Sequence, residues 1–130
     1  MELHFAPEEE VAPRLLLGAY NERFVRSSAD LSCWLEENGV CLGGINAFRL
    51  DTLLMIDRLW VAGEQRGKGL GCRLLKAVEE EGKRQGALRA ELNTFGFQAP
   101  GFYEKMGYRQ IGALEPAVGE WGHYFYAKEL

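Results

Sequence analysis

The chain has 130 residues, enough for one domain with a real core and too few for two ordinary ones. Hydrophobic residues make up 47% and charged residues 26%, which excludes a disordered or fibrous chain, and a formal net charge of -4 offers no basic field to nucleic-acid phosphates and leans towards a cationic partner. Three cysteines (Cys33, Cys41, Cys72), odd in number and without metal-ligand spacing, predict reduced, mostly buried thiols and no metal.

In chain order, Leu3 and Phe5 alternate with polar neighbours and predict a first strand, ended by Pro7. The acidic run Glu8–Glu10 suits the positive end of a helix. Leu15, Leu16, Ala19, Tyr20 and Phe24 then give a helical apolar face. Residues 26–30 read as a loop. Leu31, Cys33 and Leu35 alternate as a strand, and Asn38-Gly39 is a hairpin turn, because both residues tolerate positive φ. Val40 to Phe48 is the next strand, and Gly43-Gly44 inside it predicts a bulge or a close backbone approach. Leu53 to Val61 is mostly apolar, as a central strand would be. Leu70, Leu74, Ala77 and Val78 form one face of a helix. Its wet side carries Arg73, Lys76, the run Glu79–Glu81, Lys83 and Arg84, with Glu79–Lys83 and Glu80–Arg84 in the favourable four-residue order. Gly86 ends it. Leu88 to Leu92 alternates as a strand, Pro100 starts a short helix capped by Gly107, and Tyr108–Ile111 and His123–Ala127 are the last strands. The order β-α-β-β-β-α-β-α-β-β predicts one mixed α/β domain over residues 1–130. No secretory signal and no bilayer-length apolar stretch is visible, so a cytoplasmic protein off the membrane is expected.

Gln65-Arg66-Gly67-Lys68-Gly69-Leu70-Gly71 is the most informative segment. It joins an apolar strand to a helix, where free backbone N–H groups and the helix dipole attract an anion. Arg66 and Lys68 add counter-charge. A Walker loop fails at Ala62 and Gly69, which stand where it needs glycine and a hydroxyl residue. A dinucleotide fingerprint fails at Cys72 or Leu74. What remains is Arg-x-x-Gly-x-Gly, matched by Arg66, Gly69 and Gly71.

That motif resembles the pyrophosphate loop of the GNAT acetyltransferases. Ala99-Pro100-Gly101-Phe102-Tyr103-Glu104-Lys105-Met106-Gly107-Tyr108 is similar to a second signature of the same family, in register with the first. The resemblance implies a mostly antiparallel sheet of about seven strands, helices on both faces, and a splay between the fourth and fifth strands. It implies acetyl-CoA as co-substrate, held by Arg66, Gly67, Lys68, Gly69, Leu70 and Gly71, with its pantetheine arm along Leu59-Trp60-Val61. It implies that Tyr103 is the acid facing the leaving sulfur. Many members carry an asparagine where this chain has Gly96; Asn93, Thr94 and Gln98 are candidates to replace it. Acceptor contacts fall to Asn21, Glu22 and Tyr124.

Acetyl transfer to an amine needs a proton acceptor, because an alkylammonium has a pKa of about 10.4. Asp57 is the candidate base, as the one acid inside the strand Leu53–Val61, two residues before Leu59 and so on its face. Its alternative is a surface ion pair with Arg58 or Arg49. Glu22 and Asn21, near the end of the first helix, are alternatives to Asp57, and His123 is a further candidate base. Trp34, Trp60, Trp121 and Tyr124–Tyr126 either line an acceptor pocket or pack the sheet. No cysteine sits beside a base, so direct attack in a ternary complex is expected rather than an acyl-enzyme. Two functions fit: an N-acetyltransferase for a primary amine on a small molecule or peptide, and a non-catalytic acyl-CoA sensor that keeps the loop. A homodimer through the aromatic tail strand is a further expectation.

Overall fold

The computed structural model describes residues 1–130. Its seven strands are β1 (Ser28–Asp30), β2 (Cys33–Glu37), β3 (Val40–Leu50), β4 (Leu53–Val61), β5 (Arg89–Phe95), β6 (Arg109–Val118) and β7 (Trp121–Glu129). Its helices are α1 (Glu8–Val11), α2 (Leu17–Asn21), α3 (Leu70–Arg84) and α4 (Pro100–Lys105). One sheet holds all seven strands in the order β1-β3-β4-β5-β7-β6, with β2 also paired to β3. Every pair is antiparallel except β4–β5. No helix is long and apolar enough to cross a membrane.

Local chemistry explains most of the elements. Asn38 and Gly39 adopt φ values of 51° and 78° and turn β2 into β3, as their tolerance of the left-handed region predicts. α3 turns Leu74, Leu75 and Val78 onto β3 and β4, each at most 1% exposed and each contributing about 2 kcal/mol of apolar burial. Gly82 lets that helix approach closely, since a Cβ there would lie 3.3 Å from Leu54 Cδ2. The core joins Leu74, Leu75 and Val78 to Ile45, Ala47, Leu54, Ile56, Ala90, Leu92 and Tyr126 of the sheet and to Ala87, Tyr103 and Tyr108 beside it.

Several expectations are corrected. Leu3 and Phe5 form no strand and are exposed. The seventh strand is instead Ser28–Asp30, which pairs with Phe48–Leu50 where a loop was expected. Leu15, Leu16, Leu17, Tyr20 and Phe24 stay exposed, and α1 and α2 bury no residue. Leu75, not Ala77, completes the inner face of α3, and Glu79 is buried at 8% exposure rather than solvated. Its carboxylate accepts from Tyr108 Oη at 2.6 Å and from Lys128 Nζ at 3.0 Å, so no Glu79–Lys83 pair forms. Arg84 pairs with Glu81 rather than Glu80. Cys41 is exposed and Cys33 and Cys72 are half-buried. β7 lies between β5 and β6, so the free edge is β6, not the tail strand.

Candidate active site

The sheet opens where β4 meets β5. The two pair only over Leu53–Met55 and Arg89–Glu91, then diverge. From Ile56 onward, the side of β4 that faces β5 has no partner strand. An extended amide-bearing arm can dock on such an edge as an added strand would.

Beyond β4, a short turn at Gly63–Gln65 leads into the glycine loop and α3. Gly67 and Gly69 have φ of 80° and 81°, and a Cβ at either would touch nothing. Backbone conformation, not space, therefore selects glycine there. The amides from Gly67 to Cys72 find no acceptor in the chain, and the first donor to the loop is Arg73 N, 3.0 Å from Gly69 O. Six consecutive free donors at the positive end of a 15-residue helix make a cradle for a multiply charged anion. The residues present thus fit a diphosphate.

The cradle opens into a cavity of about 690 Å³. Leu59, Trp60 and Val61 line it from β4, Arg66, Gly67, Gly69, Leu70, Gly71 and Cys72 from the loop, and Gln98, Phe102 and Tyr103 from α4 and the turn before it. Lys68 is not part of the lining, and its Nζ lies 3.5 Å from Oε1 of Gln65, which is. Gln98 Oε1 is already engaged by the Phe95 amide at 3.0 Å. Asn93 lies outside the cavity and is 3.0 Å from His123 Nε2. A side chain at Gly96, such as the family resemblance expects, would be tight, because a Cβ there would lie 3.3 Å from the Trp121 ring and 3.6 Å from Tyr124, and the Trp121 ring would have to shift slightly.

Tyr103 is 9% exposed and packs against Phe102, Tyr108 and Tyr126 at centroid distances of 5.1, 6.1 and 6.4 Å. Tyr126 Oη donates to Glu104 at 3.0 Å, and Tyr108 to Glu79. The Tyr103 hydroxyl alone has no partner and keeps some accessible surface. Burial pushes its pKa up, so it stays protonated.

Asp57 does not share a face with Leu59. Ala47 opposes Ile56 and Asn46 opposes Arg58, which leaves Asp57 as the extra residue of a β-bulge. The bulge breaks the two-residue alternation that the sequence reading used. Asp57 is 60% exposed and 3.6 Å from Arg58, outside the cavity lining. Glu91, which the sequence reading passed over, occupies the last paired position before β4 and β5 part. It is half-buried, and burial alone acts on its carboxyl and raises its pKa. The signal was an acid in an alternating strand, indistinguishable in sequence from a solvated one. Asn21 and Glu22, at the end of α2, are exposed and do not line the cavity. Tyr124 lines a separate open cavity with Glu104, Glu115 and Glu120.

Comparisons with known proteins bear on the family and the fold. The Acetyltransferase (GNAT) family matches over residues 1–108. An acetyltransferase of Agrobacterium fabrum is 34% identical over 113 residues, covering 84% of this chain and 82% of that one. Blasticidin-S acetyltransferase of Streptomyces morookaense is 39% identical over 79 residues, covering 60% of this chain and 58% of the relative's length. The crystal structure of an acetyltransferase from Bacillus cereus superposes with a TM-score of 0.85 at 29% identity, covering 100% of this chain and 96% of that one. The chain belongs to the GNAT acetyltransferase family.

Proposed function

We propose that the protein transfers an acetyl group from acetyl-CoA to a primary amine, on a small molecule or peptide, by direct attack in a ternary complex. One observation carries the reading: the run of free amides from Gly67 to Cys72 opens into the same cavity as the unpartnered Tyr103 hydroxyl. When bound, the thioester supplies an activated acetyl group. The loop amides and Arg66 hold the diphosphate, and the open side of β4 at Leu59–Val61 aligns the arm. Tyr103 donates a hydrogen bond to the sulfur as negative charge develops there. A carboxylate at the splay takes the amine's proton. Neither Glu91 nor Asp57 lines the cavity itself; Glu91, half-buried and without a partner where the strands part, fits that role better than the exposed Asp57. The relative named for blasticidin S supports a small-molecule acceptor.

The test is a calorimetric titration with coenzyme A, followed by thiol release from acetyl-CoA over a panel of amines. Gly69→Val forces a branched residue to φ of 81° and should weaken coenzyme A binding at least tenfold, through loss of the cradle geometry. Affinity unchanged in that variant refutes the cradle. Tight coenzyme A binding with no thiol release above background for any amine refutes transfer and leaves an acyl-CoA-binding module.

A further inference from the structure

The face of the sheet turned away from α3 carries two tryptophans in one row. Trp34 of β2 pairs with Gly44 of β3, and Gly44 pairs with Trp60 of β4. Partners across antiparallel strands share a face, and the neighbouring Gly43 and Ile45 are buried beneath α3, so all three point away from it. Both indoles are largely exposed, at 65% and 53%. Neither stacks on another ring: the aromatic pairs of the fold involve neither Trp34 nor Trp60. Two strand spacings separate their backbones by about 9.6 Å, and the residue between them has no side chain. That leaves open space above Gly44 between the two indoles, wide enough to admit a flat ring.

A cavity of about 340 Å³ occupies this place, lined by both tryptophans, Gly44, Asn46 and Arg58. Asn46 and Arg58 form the next row across β3 and β4. They set an amide and a guanidinium at one end of the slot. Asn46 Nδ2 is 3.4 Å from Ser32 Oγ, which leaves its carbonyl oxygen open. Arg58 is itself 3.6 Å from Asp57, and Trp34 Nε1 donates to Glu36 Oε1 at 3.4 Å, so the slot carries both signs of charge and offers hydrogen-bonding edges rather than one net field. A neutral flat ring with hydrogen-bonding atoms on its edge satisfies both the stacking faces and the polar end. Trp60 lines this cavity and the one beneath the glycine loop, so the two adjoin at β4.

We propose that the Trp34–Gly44–Trp60 slot binds a planar heteroaromatic ring of the acceptor, stacked between the indoles with its edge on Asn46 and Arg58. The inference rests on the acetyl-transfer reading for its catalytic arm and has a binding arm independent of it. In the catalytic arm, acetyl transfer is compared for 1-(3-aminopropyl)uracil, 3-cyclohexylpropylamine and N-(3-aminopropyl)acetamide. The uracil amine should show the highest kcat/KM. Trp34→Ala should lower it about ten- to a hundredfold. The same variant should leave the acetamide and the coenzyme A affinity unchanged, and Trp34→Phe should recover much of the loss. In the binding arm, uridine should quench the indole fluorescence of the wild type saturably, and that of Trp34→Ala weakly or not at all.

Equal loss for all three amines makes Trp34 structural and overturns the proposal. So does equal preference for the cyclohexyl amine, which signals plain hydrophobicity. Should no amine react, the transfer reading fails alone; the ring slot then falls only if uridine fails to quench.

Discussion

A phenol lodged in the interior normally finds a hydrogen-bond partner, because an unpaired buried hydroxyl costs about 1–3 kcal/mol. Tyr108 and Tyr126 obey this rule through Glu79 and Glu104, and Tyr103 between them does not. A side chain held rigid by three rings, with its one polar atom left open towards a cavity, is suited to a partner that arrives from outside. With a phenol pKa of about 10 against about 8.5 for a thiol, full proton transfer to the departing sulfur is uphill, so in the proposed reaction Tyr103 would act by hydrogen bonding. Tyr103→Phe keeps the packing and removes the donor. It should lower kcat about ten- to a hundredfold while coenzyme A affinity stays within twofold, as steady-state kinetics and calorimetry would show. The proton acceptor is separable by pH. Burial favours the protonated form of Glu91, and a protonated carboxyl cannot take a proton. Turnover should therefore fall as pH drops through a value above the ordinary carboxylate range. Glu91→Gln should abolish that acid limb in a kcat/KM profile, and Asp57→Asn should leave it in place; the reverse pattern assigns the base to Asp57. Tyr103 was legible in the sequence through a motif that fixes its position. Glu91 was not, because its burial comes from the meeting of β4 and β5, which no local pattern states.

Among the elements, α3 does most to join the site to the fold. Its glycine entry and its 3.6-residue apolar spacing were readable, since both are local consequences of helix geometry. β4 was readable to the residue at both ends, but its bulge at Asp57 was not, because a bulge is a mismatch of count between two strands. Glu79 was misread for a similar reason. Within the run Glu79–Glu81 it looks solvated, yet its partners Tyr108 and Lys128 lie 29 and 49 residues further on. Lys128 Nζ also donates to Met106 O at 2.9 Å, at the C-terminal end of α4. This cluster pins α3 to β7 and to the helix that carries Tyr103. Removing one charge strands the other in a side chain that is 25% (Lys128) or 9% (Glu79) exposed. Glu79→Ala should therefore destabilise the fold by about 3 kcal/mol in urea unfolding. The apolar pair Glu79→Leu with Lys128→Met should cost clearly less than the sum of the two single changes. A strictly additive result would mean that Glu79 and Lys128 are not coupled.

At the scale of the molecule, the sheet is packed on one face only over most of its width. α3 and α4 cover the face that holds the core, while Phe48 and Leu50 on the opposite face are 37% and 36% exposed. The first 25 residues could have covered that face by composition, since Leu15, Leu16, Leu17, Tyr20 and Phe24 are apolar at helical spacing. They do not cover it. Their helices are of 4 and 5 residues, below the length at which a helix holds in water without packing, and they bury nothing. Apolar periodicity predicted a helical tendency correctly and a docked helix wrongly, because periodicity reports which face is greasy and not whether a partner surface is in reach. The consequence is a difference in local stability. Segments held only by local hydrogen bonds open at nearly no free-energy cost, whereas β3, β4 and α3 open only with the whole domain. Brief trypsin digestion of the native protein should cut after Arg14 and Arg23 before any site between Ser28 and Glu129. Mass spectrometry should then find a fragment beginning near Phe24 that keeps the cooperative unfolding transition of the intact chain. First cleavage inside the glycine loop, at Arg66 or Lys68, would instead make the cofactor cradle the weakest part of the molecule. Loss of the transition on removing the first 23 residues would mean that this segment stabilises the sheet after all.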